Sequence, residues 1–196
     1  EKEFLIKIAE KCEKERVRLV LDECFVQFLT SGEEASMQLE TGRFRYLFVL
    51  QAFTKIYAVP GIRLGYGISS DKALLERMET VRQPWSVSTP AQAAGLSALK
   101  EDHREEQTRQ LVKSERERME KELENLRIEY IPSEANFLLF NSEINWFEEL
   151  KKRGILIRDC ANYRGLGNGW YRMAVRMPEE NDRLLECMKQ VLNERS

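Results

Sequence analysis

The sequence predicts an α/β chain in which a mostly parallel sheet flanked by helices is followed by a small α+β domain. Three observations carry this. Residues 17–23 and 46–51 are short apolar runs, too brief for buried helices and bounded by polar segments, as strands buried on both faces are. Helical patterns lie over 3–15, 70–81 and 90–127, interleaved with those strands. From Ile128 the pattern changes to short strands separated by brief helices. At 196 residues the chain is long enough for one ordinary domain or two small ones, each with its own core.

Taken in order, a helix over 3–15 leads straight into the strand Val17-Arg18-Leu19-Val20-Leu21-Asp22-Glu23, and a polar loop runs through Ser31-Gly32-Glu33-Glu34. A strand near 46–51 and another near 62–69 follow. Ser70-Asp71 provides an N-cap for a helix through Val81, because a short oxygen-bearing side chain satisfies the free amides of a first turn. Pro84-Trp85-Ser86-Val87-Ser88-Thr89-Pro90 reads as a loop, and Pro90 opens a long helix that continues through a highly charged stretch to about Arg127. Val112, Met119, Leu123 and Leu126 give that helix one apolar stripe, and Glu105–Arg109 and Glu117–Lys121 support it at i,i+4 spacing. Its charges read as a solvated face, with a partner-binding arm as the alternative. Strands near 128–131 and 136–140, a helix near 143–153 ending before Gly154, strands at 155–158 and 170–176, and a closing helix near 178–195 complete the chain. The domain break is expected inside the long helix, near 105–115, giving domains 1–110 and 111–196.

Composition excludes several classes of function. The net charge is −2 with 33% charged residues of mixed sign, so no field favours nucleic acid or an anionic membrane. No apolar run approaches the about 20 residues of a membrane span. The start, Glu1-Lys2-Glu3-Phe4-Leu5-Ile6, lacks the basic and apolar regions of a signal peptide. Cys12, Cys24, Cys160 and Cys187 are dispersed and the sole histidine, His103, sits in a charged run, so reduced thiols in a cytoplasmic protein are expected and no metal site is.

The chemistry is expected at Lys55. The stretch Ala52-Phe53-Thr54-Lys55-Ile56-Tyr57-Ala58-Val59-Pro60-Gly61-Ile62-Arg63-Leu64-Gly65-Tyr66-Gly67 sets one lysine at the end of a buried strand, with an arginine eight residues on and glycines that allow close approach to the backbone. A lysine there is costly to place unless it reacts or is paired. Asp22 ends the preceding apolar strand. In open α/β sheets ligands bind outside the carboxyl ends of strands, so Asp22 and Lys55 can share one crevice.

This segment resembles the cofactor-lysine segment of fold-type I pyridoxal-phosphate (PLP) enzymes, the class I/II aminotransferase family, with Asp22 and Lys55 matching in order and spacing. The resemblance implies the C-terminal part of a PLP-transferase large domain followed by the small domain, since family members are nearly twice this length; the chain reads as a fragment or one piece of a cleaved enzyme. It implies that Lys55 bonds the cofactor's aldehyde carbon, Asp22 the pyridine nitrogen, and Thr54 and Arg63 the phosphate. Arg172 would grip the substrate carboxylate, with Arg158 and Arg176 available to a second anionic group. A homodimer is implied as well. Two positions depart from the family pattern: Ala52 stands where a Ser or Thr often binds phosphate, and Phe25 where a Tyr often bonds the cofactor's ring oxygen.

Within the family, Ile155-Leu156-Ile157-Arg158-Asp159-Cys160-Ala161-Asn162-Tyr163-Arg164-Gly165-Leu166, then Trp170-Tyr171-Arg172-Met173-Ala174-Val175-Arg176, resembles the threonine-phosphate decarboxylases of cobalamin biosynthesis, as do Pro84-Trp85-Ser86-Val87 and Phe25. A small phosphorylated amino acid is the substrate this implies. A histidinol-phosphate-type aminotransferase and a non-catalytic folded fragment are the alternatives.

Overall fold

The computed structural model describes residues 2–101 and 103–195, apart from the Glu33 side chain. It divides into two compact units, Glu1–Arg109 and Gln110–Ser196, with the boundary inside the helix α5 (Arg104–Asn125).

The first unit is built on a three-stranded sheet. Helix α1 (Lys2–Glu15) precedes β1 (Leu19–Asp22), which runs parallel to β2 (Leu47–Ala52) with Leu19 opposite Leu47 and Asp22 opposite Leu50. Strand β3 (Gly65–Ile68) pairs antiparallel to the other edge of β2, Gly67 opposite Leu50 and Gly65 opposite Ala52. Side chains alternate across a strand, so Leu19, Leu21, Leu47 and Val49 share one face. That face packs on Leu5, Ile6 and Ala9 of α1 and on Met37 and Phe44. Val20, Asp22 and Leu50 lie on the other face; Val20 is 53% exposed, so β1 is covered on one side rather than on both.

Strand β2 passes directly into the short helix α2 (Phe53–Ile56), and the Phe53 amide donates to the Leu64 carbonyl at 3.2 Å, tying the strand–helix junction to the approach of β3. A 3-10 turn at Pro60–Ile62 follows. Helix α3 (Lys72–Val81) is capped by Asp71, whose carboxylate accepts from the Leu74 amide and pairs with Arg18 at 2.5 Å. Helix α4 (Thr89–Ala98) is capped by Ser88 with Pro90 in its first turn.

The long charged helix expected over 90–127 is therefore two helices, α4 and α5. The amides of Lys100 and Glu101 bond the carbonyls three residues back, which tightens and ends α4. The physical reason is burial: Leu96 and Leu99 are exposed, and Lys100, Glu101, His103 and Arg104 offer nothing to bury.

The second unit has a four-stranded antiparallel sheet in the order β4 (Glu129–Ile131), β5 (Phe137–Asn141), β7 (Trp170–Ala174), β6 (Arg158–Asp159). Leu138, Phe140, Tyr171 and Met173 point to one face and are buried with Trp146 and Leu150 of α6 (Trp146–Lys152), Met119 and Leu123 of α5, and Leu184, Leu185, Met188 and Val191 of α7 (Pro178–Asn193). Asn181, 1% exposed, locks the start of α7: its amide oxygen accepts from the Arg176 N–H and its amide nitrogen donates to the Arg176 carbonyl and to Glu115 of α5. The strand expected over 155–158 is confined to Arg158–Asp159. The Ile155 amide still bonds the Leu150 carbonyl at the end of α6, and that holds the chain away from the ladder.

Candidate active site

Asp22 and Lys55 are placed at the carboxyl ends of the parallel strands β1 and β2, Asp22 as the last residue of β1 and Lys55 three residues beyond β2. Asp22 is exposed on the sheet face away from α1. Its carboxylate accepts the Cys24 main-chain N–H at 3.0 Å, and the Cys24 thiol acts on it as well. These two effects, with a smaller contribution from the Lys55 charge, outweigh burial and push the Asp22 carboxyl below its ordinary range, so it is ionised at neutral pH. Lys55 is half-buried, and its Nζ stands 5.5 Å from the centroid of the Phe25 ring, within the range of a cation–π contact. The structure thus gathers Asp22, Cys24, Phe25 and Lys55.

Thr54 is buried beside Lys55 in α2. Arg63 does not lie on a strand: it ends the 3-10 turn with φ +57°, in the left-handed region, and its guanidinium donates to the Pro60 carbonyl at 3.0 Å. That bond uses one of the guanidinium's five N–H donors and leaves the others for a ligand.

The second unit holds the other three candidate arginines, Arg158, Arg172 and Arg176. Arg158 of β6 and Arg172 of β7 are directly opposite one another in the ladder, both exposed. Arg172 lies over the Phe137 ring at 5.0 Å, while Arg158 lies over the Tyr163 ring at 5.6 Å and donates to the Asn162 side-chain oxygen at 3.0 Å. Among the described residues neither has a carboxylate within ion-pair distance, and like charges facing across a ladder are unfavourable. Arg176 differs, pairing with Glu180 at 2.9 Å.

Two features of the first site escape sequence reasoning. One is Cys24, whose main-chain N–H reaches Asp22 through the turn after β1. The other is Glu23, adjacent to Asp22 but buried, accepting from the Ser36 hydroxyl at 2.5 Å, the Met37 amide at 2.8 Å and the Gln51 amide nitrogen at 3.3 Å. Strand alternation was the available signal: two successive acids at a strand end point to opposite faces, so one of them must enter the core.

Pyridoxal phosphate, implied by the sequence resemblance, fits these residues. An ionised Asp22 with no cation within ion-pair distance among the described residues suits a protonated ring nitrogen, and Lys55 is a primary amine without a carboxylate partner at the same end of the sheet.

Residues 1–187 match the family model described as aminotransferase class I and II. The chain is 36% identical to the threonine-phosphate decarboxylase of Salmonella typhimurium, over 98% of this chain and 53% of that protein. It is 37% identical to a histidinol-phosphate aminotransferase of Archaeoglobus fulgidus, over 89% of this chain and 52% of that one. It spans about half the length of the curated relatives it matches. Among solved structures, the histidinol-phosphate aminotransferase of Clostridium acetobutylicum superposes with a TM-score of 0.92 at 30% identity, covering 99% of this chain and 60% of that one. The L-threonine-O-3-phosphate decarboxylase of Porphyromonas gingivalis has the same fold, with a TM-score of 0.85 at 22% identity, over 98% of this chain and 60% of that one. With the family model covering nearly its whole length, the chain belongs to the aminotransferase class I and II family.

Proposed function

We propose that this chain carries the lysine-bearing part of a PLP-dependent decarboxylase that converts L-threonine O-3-phosphate to 1-aminopropan-2-ol phosphate and CO2, a reaction of cobalamin biosynthesis. The observation that carries the choice is the uncompensated pair Arg158 and Arg172, which suits a substrate bearing both a carboxylate and a phosphate. The identity to the Salmonella typhimurium decarboxylase supports the same reading.

PLP, when bound, supplies an electron sink for the pair left when a bond at the substrate Cα breaks. The roles of the chain's residues follow from their chemistry. Lys55 holds the cofactor and, once CO2 has left, returns a proton to Cα. Asp22 keeps the ring nitrogen protonated by presenting a carboxylate that is itself ionised. Thr54 and Arg63 bind the cofactor phosphate, Arg63 through the donors its bond to the Pro60 carbonyl leaves free. Arg172 takes the substrate carboxylate with a planar fork that fixes orientation as well as position, and Arg158 takes the phosphate; Arg176 stands by to assist once freed from Glu180. A homodimer in the cytoplasm belongs to the same reading, with exposed Trp85, Leu96 and Leu99 offering apolar surface in the first unit.

A histidinol-phosphate-type aminotransferase is the second reading, favoured by the likeness to the Clostridium acetobutylicum enzyme. The test has two stages. The chain is incubated with PLP, reduced with borohydride and peptide-mapped by mass spectrometry; label confined to Lys55 is expected, and scattered or absent label would leave these residues a folded but non-catalytic piece. The loaded protein is then given threonine phosphate. Release of CO2 supports the decarboxylase, whereas consumption of 2-oxoglutarate with an amino donor would replace it by the aminotransferase.

A further inference from the structure

We propose that Asn162, Tyr163 and Phe137 are positioning residues that hold the Arg158 and Arg172 side chains apart, so that the pair selects ligands carrying two separated anionic groups over ligands carrying one. The proposal rests on the reading of these arginines as the sites for a substrate phosphate and carboxylate. It adds three residues to which neither the family match nor the sequence reading assigns a role.

Two cations directly opposite in a ladder repel, and an exposed arginine without neighbours keeps its rotamer freedom. Here each arginine is restrained by side chains of its own. The Asn162 side-chain oxygen accepts from the Arg158 guanidinium at 3.0 Å, and the Tyr163 ring centroid lies 5.6 Å from the same group. A guanidinium only donates, so the oxygen of the Asn162 amide is the atom that must face it. Arg172 rests on the Phe137 ring at 5.0 Å. Both ring distances are within the range of a cation–π contact.

The register shows that these restraints act in opposite directions. Arg158 stands opposite Arg172 and Asp159 opposite Tyr171, so beyond Arg158 the chain runs toward the Trp170 end of β7, and Asn162 and Tyr163 lie in the turn that follows. Phe137 stands opposite Ala174, at the other end of β7 and across its other edge. Arg158 is therefore drawn toward the turn, and Arg172 away from it onto β5. The turn itself is fastened: Cys160, 2% exposed, donates its N–H to the Trp170 carbonyl at 2.9 Å and accepts the Tyr163 N–H at 2.9 Å. The Asp159 carboxylate accepts the Ala161 N–H at 2.8 Å. Asn162 uses one donor of Arg158 and the rings cover one face of each guanidinium, which leaves the other donors for a ligand. A single anionic group satisfies one arginine. A ligand with two such groups spans the gap and meets both without first ordering either side chain, and preorganisation of that kind strengthens binding.

The test compares threonine phosphate with 1-aminopropan-2-ol phosphate, which differ only in the carboxylate. Dissociation constants are measured by calorimetry on the full chain without PLP, at matched ionic strength, for wild type, Asn162→Ala, Tyr163→Leu, Phe137→Leu and Tyr163→Phe. Wild type should bind threonine phosphate at least about tenfold more tightly than the product, as one further hydrogen-bonded charge contact implies. Asn162→Ala, Tyr163→Leu and Phe137→Leu should each cut that ratio at least about threefold, because a released arginine no longer stands at a fixed distance from the other. Tyr163→Phe, which keeps the ring face, should restore the wild-type ratio. A merely structural role would weaken both ligands alike and leave the ratio where it was. Wild type that binds neither ligand or both equally, or leucine and alanine variants that keep the wild-type ratio, overturns the proposal. The loaded protein is then assayed for CO2 release from threonine phosphate. The expected ratios without any CO2 would sink the decarboxylase reading and leave the arginine geometry standing.

Discussion

The facing arginines of the second unit make a prediction whose magnitude follows from the ladder register. Arg158 and Arg172 occupy opposed positions on β6 and β7, both exposed and both without a carboxylate partner among the described residues. Like charges directly opposite in a ladder cost about 0.2–1 kcal/mol. An anion placed between them converts this repulsion into two attractions. Binding to the folded state alone stabilises it by RT ln(1 + [L]/Kd), about 1.4 kcal/mol at ten times Kd. For a unit of this size that corresponds to a rise of about 6–11 °C in Tm. A hydrogen bond to a charged group contributes about 1.5–3 kcal/mol, so Arg158→Gln or Arg172→Gln should weaken binding at least tenfold. The same ligand concentration then stabilises by about 0.4 kcal/mol or less. The assay is tryptophan emission on heating the full chain with and without threonine phosphate, with potassium chloride at matched ionic strength as the control. Trp146 is fully buried in the second unit and Trp85 of the first is 94% exposed, so the change in emission reports the unit that carries the arginines. Glutamine variants that keep the full stabilisation, or chloride that reproduces it, would refute the reasoning.

Two further outcomes are expected. A Cβ on Gly67 would lie 2.3 Å from the buried Phe48 ring, so Gly67→Ala should cost about 1–3 kcal/mol, while Gly61→Ala, with nothing within 4 Å, should change stability by less than about 0.5 kcal/mol; urea titration of the two variants side by side decides this. Glu115 bonds Arg118 and Asn181, which hold its carboxyl below the ordinary value of 4.5. The unfolded chain therefore takes up the proton first: the stability from this group is complete above 4.5 and is lost as the pH falls through the lower folded value. Glu115→Gln should be less stable than wild type at neutral pH and should show a shallower loss on acidification, measured by urea midpoints stepped downward from 4.5.

The elements that could be read from sequence were those whose reason for existing is local. Ser70-Asp71 offered a short oxygen-bearing cap and Asp71 caps α3, while Pro90 marked the opening of a helix and lies in the first turn of α4. The apolar run before Asp22 and the Lys55 segment gave the two cofactor candidates because an apolar strand that ends in a charge places that charge at a sheet's edge. What could not be read depends on partners distant in sequence or on turn geometry. Arg63 was expected on a strand, yet Pro60-Gly61 starts a 3-10 turn that leaves it at positive φ and bonded to its own loop. Ile155-Leu156-Ile157 has strand composition, but pairing with β7 begins only at Arg158, and Leu156 is 74% exposed. Composition states what a segment tolerates, whereas the ladder depends on where the end of α6 releases the chain.

Adjacent acids at the end of β1 show how one strand edge serves both fold and chemistry. Because successive side chains point to opposite faces, Asp22 and Glu23 cannot share an environment. Glu23 turns into the unit and accepts three hydrogen bonds, from Ser36, Met37 and Gln51, the last lying on β2 one residue before that strand's final Ala52. Each bond to a charged acceptor is worth about 1.5–3 kcal/mol, far more than an exposed ion pair, so the end of β1 is fastened to β2 from the core side. Lys55 follows Ala52 by three residues through a helix that begins without any intervening loop. The distance from Asp22 to Lys55 is thereby set by bonds that neither residue makes. Asp22 can stay exposed and Lys55 half-buried, neither in an ion pair among the described residues, because the buried neighbour on the opposite face carries the structural load.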